Sequence, residues 1–264
     1  MRDLLRLVLN RCPRAKALLK RLLRRSGGVS SNYVEMQGDE ANFEAARLRG
    51  AWMSDILPGK QRQLVDQQLA LYRLGKPVDV FDVLVQAMRV VCMPNVTTSV
   101  LEVGCSSGFY SEVFAISGLG VRYTGCDYSS AFVRSAQATY PQLRFDVQDA
   151  TALGYGDASF DVVISGCCLL HIPEYAVAIA ETARVARRHA IFHRTPVLTG
   201  QATKHFRKLA YGVETVEIHF NEPQFLALLA QNGLEVMQTY TLHEEKHGGT
   251  GNASRTYLCR KVQP

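Results

Sequence analysis

Ser99-Val-Leu-Glu102-Val-Gly104-Cys-Ser106-Ser-Gly108-Phe-Tyr-Ser-Glu112 joins an apolar run to a turn of small residues and then to an amphipathic segment. Read in that order it is strand, tight loop and helix. Val100, Leu101 and Val103 suit a buried central strand. Gly104 and Gly108 let backbone approach a ligand closely, while Ser106 and Ser107 open a helix whose free N–H groups face the same point. A dinucleotide-binding turn would place glycines at 104, 106 and 109, but Ser106 and Phe109 occupy the last two. A nucleotide-like ligand is therefore expected and a dinucleotide is not.

Working outward from this stretch, apolar runs alternate with helix-period segments from Val96 onward, the mark of an α/β protein with a parallel sheet covered on both faces. Strands are expected at 99–103, 121–126, 143–148, 160–165 and 190–194, with helices between them. Leu143, Phe145 and Val147 alternate with polar residues and suit an edge strand, whereas Val162-Val-Ile164 is continuously apolar and suits a central one. A loop is expected from Thr195 to Asn221, then a helix over Glu222–Gln231 stopped by Gly233. Strand-like runs at Leu234–Leu242 and Ala253–Val262 follow, joined across His247–Asn252. Upstream, helix-period patterns at 41–57, 58–74 and 77–91 predict a helical cap that takes in Trp52. Three units result: a basic amphipathic segment over 1–25, a helical cap or lid over 26–95, and a ligand-binding domain over 96–264.

The composition is that of a globular protein, with 47% hydrophobic residues and a formal charge of +6. The charge is uneven, because nine Lys or Arg lie within residues 1–25 against Asp3 alone. The body of the chain is slightly acidic, so nucleic acid is not an expected partner. Leu4, Leu5, Val8, Leu9, Leu18, Leu19, Leu22 and Leu23 set against the basic residues suit a helix lying on an anionic membrane surface. A helix docked on its own domain and an organelle transit peptide are the alternative readings. The seven cysteines form no C-x-x-C pair; reduced thiols and no metal site are expected. No apolar run approaches the ~18 residues of a membrane span. A cytoplasmic protein is expected, peripheral on the inner face of a membrane if residues 1–25 meet lipid.

The spacing Glu102-x-Gly104-x-Ser106-x-Gly108 resembles the first motif of class I S-adenosylmethionine-dependent methyltransferases, in particular their small-molecule type 11 branch. That family usually has a glycine where Ser106 stands. Tyr123-Thr-Gly-Cys-Asp127-Tyr128-Ser puts an acid at the end of the second strand, where a carboxylate can accept hydrogen bonds from both ribose hydroxyls, with Tyr128 against the adenine. Asp149-Ala150-Thr-Ala-Leu153 with Asp157-Ala-Ser-Phe160-Asp161 is similar to a further family run, Gly154-Tyr155 replacing its Pro-Phe pair. The resemblance implies that Asp149 receives the adenine amino group; Asp161, ahead of a buried strand, is expected to be structural. It also implies S-adenosyl-L-methionine as cofactor, contacted by Glu102, Gly104, Cys105, Ser106, Gly108, Asp127, Tyr128, Asp149, Ala150 and Ser165. The implied fold is a Rossmann-like seven-stranded sheet of order 3-2-1-4-5-7-6 with the last strand antiparallel.

The reacting side belongs at the carboxyl ends of the fourth and fifth strands. Ser165-Gly-Cys-Cys-Leu-Leu-His171-Ile-Pro-Glu174 resembles the family segment bordering the acceptor. His171, and His193 at the end of the fifth strand beside Arg194, are the candidate catalytic residues; a histidine could deprotonate an alcohol acceptor. Lys204, His205, Arg207, Lys208 and Tyr211 are expected to shape the acceptor pocket and would suit an anionic acceptor. His193-Arg-Thr-Pro196, Tyr211-Gly-Val-Glu214 and His219-Phe-Asn-Glu222 resemble uncharacterised methyltransferases associated with bacterial surface-polysaccharide assembly. This implies methyl transfer to a hydroxyl of a sugar, glycan or other small polar acceptor. N- or C-methylation of a small molecule or quinone-like lipid, and a non-catalytic cofactor-binding partner protein, are the alternatives. The oligomeric state is not legible.

Overall fold

The computed structural model describes residues 33–37, 44–45, 47–93 and 96–262. The basic segment 1–25, and with it the expected membrane-facing helix, lies outside the described residues. In chain order the elements are β1 (Tyr33–Met36), a 3-10 turn (Gly50–Met53), α1 (Leu57–Arg73), α2 (Asp79–Val91), β2 (Thr98–Val103), α3 (Phe109–Ile116), β3 (Val121–Asp127), α4 (Ser130–Thr139) and β4 (Arg144–Val147). There follow β5 (Phe160–Gly166), a second 3-10 turn (Leu169–His171), α5 (Tyr175–Val185), β6 (Ala186–Thr199), β7 (Lys204–Ala210), β8 (Val213–Asn221), α6 (Glu222–Gln231), β9 (Leu234–His247) and β10 (Thr250–Lys261).

Seven strands form the main sheet in the order β4-β3-β2-β5-β6-β10-β9. The pairs from β4 to β6 are parallel, and β10 runs antiparallel to both β6 and β9. Numbered among themselves, these strands have the expected order 3-2-1-4-5-7-6. Strand pleating divides the side chains between two layers. Val100, Val162, Ile164, Ile191 and Leu258 pack with α1 to α4, through Leu69, Phe81, Met88, Val113 and Phe114 among others. Their sequence neighbours Leu101, Val103 and Val163, and further along the sheet Ala190, Phe192 and Tyr257, face the other way, toward the layer that includes α5 and α6. All six residues of β2 are buried, as its central place between β5 and β3 requires. Asp161 clips the starts of two neighbouring strands: its carboxylate accepts from Ser99 N–H (3.0 Å) and Ser99 Oγ–H (2.7 Å), and Arg187 donates to its other oxygen.

Three strands lie beyond the seven. The stretch 195–221, expected as a loop, is the end of a long β6 followed by the β7–β8 hairpin. The hairpin turns at Tyr211-Gly212, where both residues have positive φ (51° and 90°), the backbone hand that matches the twist of a two-residue hairpin. Val216, Ile218 and Phe220 of β8 are buried, a period-2 pattern that the dense charge of β7 obscures in sequence. The expected helical cap also contains a strand, since β1 adds to β7 antiparallel. β8 joins the tip of β6 through Val197 and Leu198, so a three-stranded flap β1-β7-β8 stands over the carboxyl end of the main sheet. β9 and β10 are longer than expected and meet at Gly248-Gly249. Among the described residues no helix is long and apolar enough to cross a membrane.

Gly108 precedes α3 with φ +72°, and a Cβ built there would lie 2.6 Å from the Phe145 ring. Gly108→Ala therefore combines the left-handed penalty of ~1–2 kcal/mol with an overpacking cost of ~1–3 kcal/mol. Thermal denaturation is expected to show a loss of stability of about 2–5 kcal/mol in total.

Candidate active site

A cavity of about 1170 Å³ opens at the carboxyl end of the parallel strands. Its inner half is built by three successive strand ends. After β2 the chain turns through Gly104 (φ +72°), Ser106 (φ +48°) and Gly108 (φ +72°). Ser106 thus adopts the left-handed conformation that a glycine would take at no steric cost. Gly104 is equally constrained from outside, because a Cβ there would lie 2.2 Å from Cys168 Cβ. At the end of β3, Asp127 accepts from Ser106 N–H (3.0 Å) and Ser129 N–H (2.9 Å), tying the β2 turn to the start of α4. Burial pushes its carboxyl up to about 6, against backbone N–H groups that pull the other way. After β4, Asp149 accepts from Thr151 N–H and Oγ–H (2.9 and 2.7 Å) and pairs with Arg49. Burial acts to raise its pKa, and these donors bring it below the usual carboxylate range.

The outer half comes from chain-distant elements. His171, on the turn after β5, places Nδ1 2.6 Å from the Val216 carbonyl of the flap, so Nδ1 carries the hydrogen and Nε2 keeps its lone pair. Trp52 packs against the imidazole with ring centroids 4.7 Å apart. Burial, joined by Lys208 and Arg194, holds His171 below the ordinary histidine value although Glu217 acts in the opposite sense. Glu217 accepts from Lys208 (2.6 Å) and Tyr33 (3.1 Å), with His219 Nε2 at 3.1 Å. Burial would raise the Glu217 carboxyl, but these partners hold it down to about 2. Lys204 pairs with Glu35. Phe109, Tyr110, Phe206 and Tyr211 add aromatic surface.

The expected site residues divide by depth. Gly104, Ser106, Asp127, Tyr128, Asp149, Ala150 and His171 line the one cavity. Gly108 shapes the turn next to it. Glu102, Cys105 and Ser165 lie beneath it, each almost wholly buried. Glu102 accepts from Tyr123 Oη and sits under Gly166, whose added Cβ would lie 2.5 Å from Glu102 Oε1. His193 is 1% exposed and absent from the lining, with Tyr110 Oη at 2.9 Å from Nε2 and Thr256 Oγ1 at 2.9 Å from Nδ1. Both ring nitrogens are thus engaged inside the fold, which fits a positioning role and removes His193 from contact with a reacting atom. Sequence reasoning did not assign Arg49, Tyr33, Gln148 or Glu217 to the site; each reaches it only through tertiary packing. Among the described residues no group of acids, histidines and cysteines has metal-site geometry, and the described cysteines are all free thiols.

Residues 101–193 match the family described as a methyltransferase domain, of type 11. Residues 101–193 therefore carry a methyltransferase domain of that family. The domain is 40% identical over 93 residues to a 2-methyl-6-phytyl-1,4-hydroquinone methyltransferase of Synechocystis sp., a match covering 34% of this chain and 29% of that protein. It is 35% identical over 88 residues to a demethylmenaquinone methyltransferase of Renibacterium salmoninarum, covering 33% and 36%. The match thus spans about a third of the length of these relatives. In fold it is similar to a Burkholderia thailandensis 1,6-didemethyltoxoflavin-N1-methyltransferase, with TM-score 0.58 and 17% identity over 89% of this chain and 97% of that one. It is also similar to a magnesium protoporphyrin IX methyltransferase of Synechocystis, with TM-score 0.51 and 20% identity over 83% and 91%.

Burial raises the Glu102 carboxyl to about 8, with Tyr123 opposing and Asp127 adding. The folded methyltransferase domain therefore retains a proton that the unfolded chain loses near pH 4.5, and this group's contribution to stability falls as pH rises between those values. Glu102→Gln is expected to gain stability relative to the unsubstituted chain from pH 5 to pH 8, by about 1 kcal/mol or more. Chemical denaturation at the two pH values measures it; a difference independent of pH would show that Glu102 is ionised in the fold.

Proposed function

We propose that this domain binds S-adenosylmethionine along the ends of β2, β3 and β4 and transfers its methyl group to a small, flat, conjugated acceptor held against His171. One observation carries the reading: the β2 turn, Asp127 with Tyr128, and Asp149 with Ala150 open into the same cavity as an imidazole with a free Nε2. The left-handed Gly104–Ser106 backbone leaves room for a ligand at close range, and Asp127 keeps acceptor capacity for ribose hydroxyls beyond its two backbone bonds. Asp149 would meet the adenine amino group, sharing its carboxylate with Arg49. When bound, the sulfonium supplies an already activated methyl group, so the chain's own task is to align a nucleophile and exclude water.

His171 does the proton work in this reading. Its Nδ1–H is committed to Val216, its ring is braced by Trp52, and its lowered pKa leaves it neutral at pH 7, so Nε2 can take a hydroxyl proton. The acceptor class follows from which outer groups remain available. Lys204, Lys208, Glu35, Glu217 and Tyr33 are mutually paired, which withdraws these five groups from the hydroxyls of a sugar. Trp52, Phe206 and Tyr211 supply flat apolar surface. The hydroquinone and demethylmenaquinone substrates in the relatives' names agree with a conjugated ring, and we favour that class over the sugar hydroxyl expected from sequence.

Calorimetry with S-adenosylhomocysteine tests the cofactor half. Asp127→Asn should weaken binding about 10–100-fold, the worth of a hydrogen bond to a charged group. Affinity should also fall as pH drops through about 6; no binding by the unsubstituted chain would overturn the reading. With methyl-labelled cofactor and a panel of hydroquinones and phenols, His171→Ala should lower turnover about 10²–10⁴-fold with cofactor affinity retained. The unsubstituted domain should lose turnover on acidification through a pKa below 6.5. An unchanged acid limb in His171→Ala would remove the histidine from the proton-transfer step.

A further inference from the structure

The cations that line the cavity differ in one respect. Arg49 pairs with Asp149 and lies 3.6 Å from Glu174, Lys204 pairs with Glu35, and Lys208 pairs with Glu217. Arg194 lines the same cavity, yet among the described residues no carboxylate comes within salt-bridge reach of it. Its electrostatic neighbours are Cys167, Tyr110 and Tyr211, and it acts in turn on His171. A partly buried guanidinium paired with the neutral Tyr110 hydroxyl but with no carboxylate has lost hydration for little return, a deficit that an oxyanion corrects with two parallel hydrogen bonds.

The backbone shows that this placement is built in. Arg194 has φ +58°, a conformation that a long L side chain rarely holds. It lies where the register of β10 against β6 shifts between Arg255 and Tyr257, and its N–H is held by Thr256 Oγ1 at 3.3 Å. A bulge of this kind re-aims one side chain out of the strand alternation. Arg194 also sits on β6, two strands from β2 in the sheet. It lines the cavity together with Tyr211 and His171.

We propose that Arg194 recognises an oxyanion, carboxylate or phosphate, on the acceptor and so turns that molecule's nucleophile toward His171. This rests on the methyl-transfer reading above. The test uses the full chain saturated with S-adenosylhomocysteine, titrated by calorimetry or ligand-observed NMR with benzoate, phenyl phosphate and neutral benzamide. At least one charged probe should bind tenfold or more tightly than benzamide, and which of the two does so separates carboxylate from phosphate. Arg194→Met should abolish that preference, Arg194→Lys should retain part of it, and S-adenosylhomocysteine affinity should stay within about twofold. Equal or absent binding of charged and neutral probes to the unsubstituted chain would overturn the proposal, whether or not the variants fold. A tenfold loss of S-adenosylhomocysteine affinity in Arg194→Met would assign the guanidinium to the cofactor's own carboxylate and overturn it too. Failure of the unsubstituted chain to bind S-adenosylhomocysteine at all is a separate result, which removes the methyl-transfer reading itself.

Discussion

The Asp127 carboxylate is the constraint on which the inner site depends. One oxygen takes the N–H of Ser106 and the other takes that of Ser129, so a single side chain joins the turn after β2 to the N-terminal cap of α4. The bond to Ser106 supports a residue held at positive φ without being glycine. A charge-assisted hydrogen bond offsets the steric cost there, of order 1–2 kcal/mol. Gly104 and Gly108 on either side have no such choice, because Cys168 and Phe145 occupy the space that a Cβ would need.

Around that inner cradle the chain places a second, less regular layer. The flap β1-β7-β8 pairs with the main sheet through Val197 and Leu198 of β6, and it supplies the Val216 carbonyl that orients His171. Trp52, from the region ahead of α1, holds the other side of the ring. The His171 ring is thus positioned by two segments that are remote from it in sequence. The paired charges Lys208–Glu217 and Lys204–Glu35 serve the flap as structure, whereas among the described residues Arg194 has no carboxylate within salt-bridge reach.

The legibility of the site followed the distance between cause and effect along the chain. Gly104, Asp127 and Asp149 were readable because each stands at a strand end, where an apolar run visibly stops and backbone geometry alone fixes which way the residue faces. Glu102, Cys105 and Ser165, expected from the sequence to contact the ligand, lie under the floor of the cavity. A strand residue one position earlier points to the opposite face, and periodicity alone does not say where the floor begins. His193 shows the same limit, since a strand-end histidine looks alike whether it faces solvent or is closed between Tyr110 and Thr256. The β7–β8 hairpin was missed because its charged strand obscures the period-2 pattern.

By itself the sequence determined the α/β class and the small-residue turn after β2, because these depend on local apolar periodicity and on small residues at fixed spacing; the seven-strand order came with the family resemblance that those residues carry. Tertiary structure alone decided the acceptor half. The left-handed bulge at Arg194 arises from a register shift against β10, a strand that lies about sixty residues further on and whose pairing is set by the packing of the whole sheet. The tautomer of His171 depends likewise on a carbonyl 45 positions away in the flap. Contacts of that separation leave no local pattern in the chain, since their geometry exists only after the core has closed.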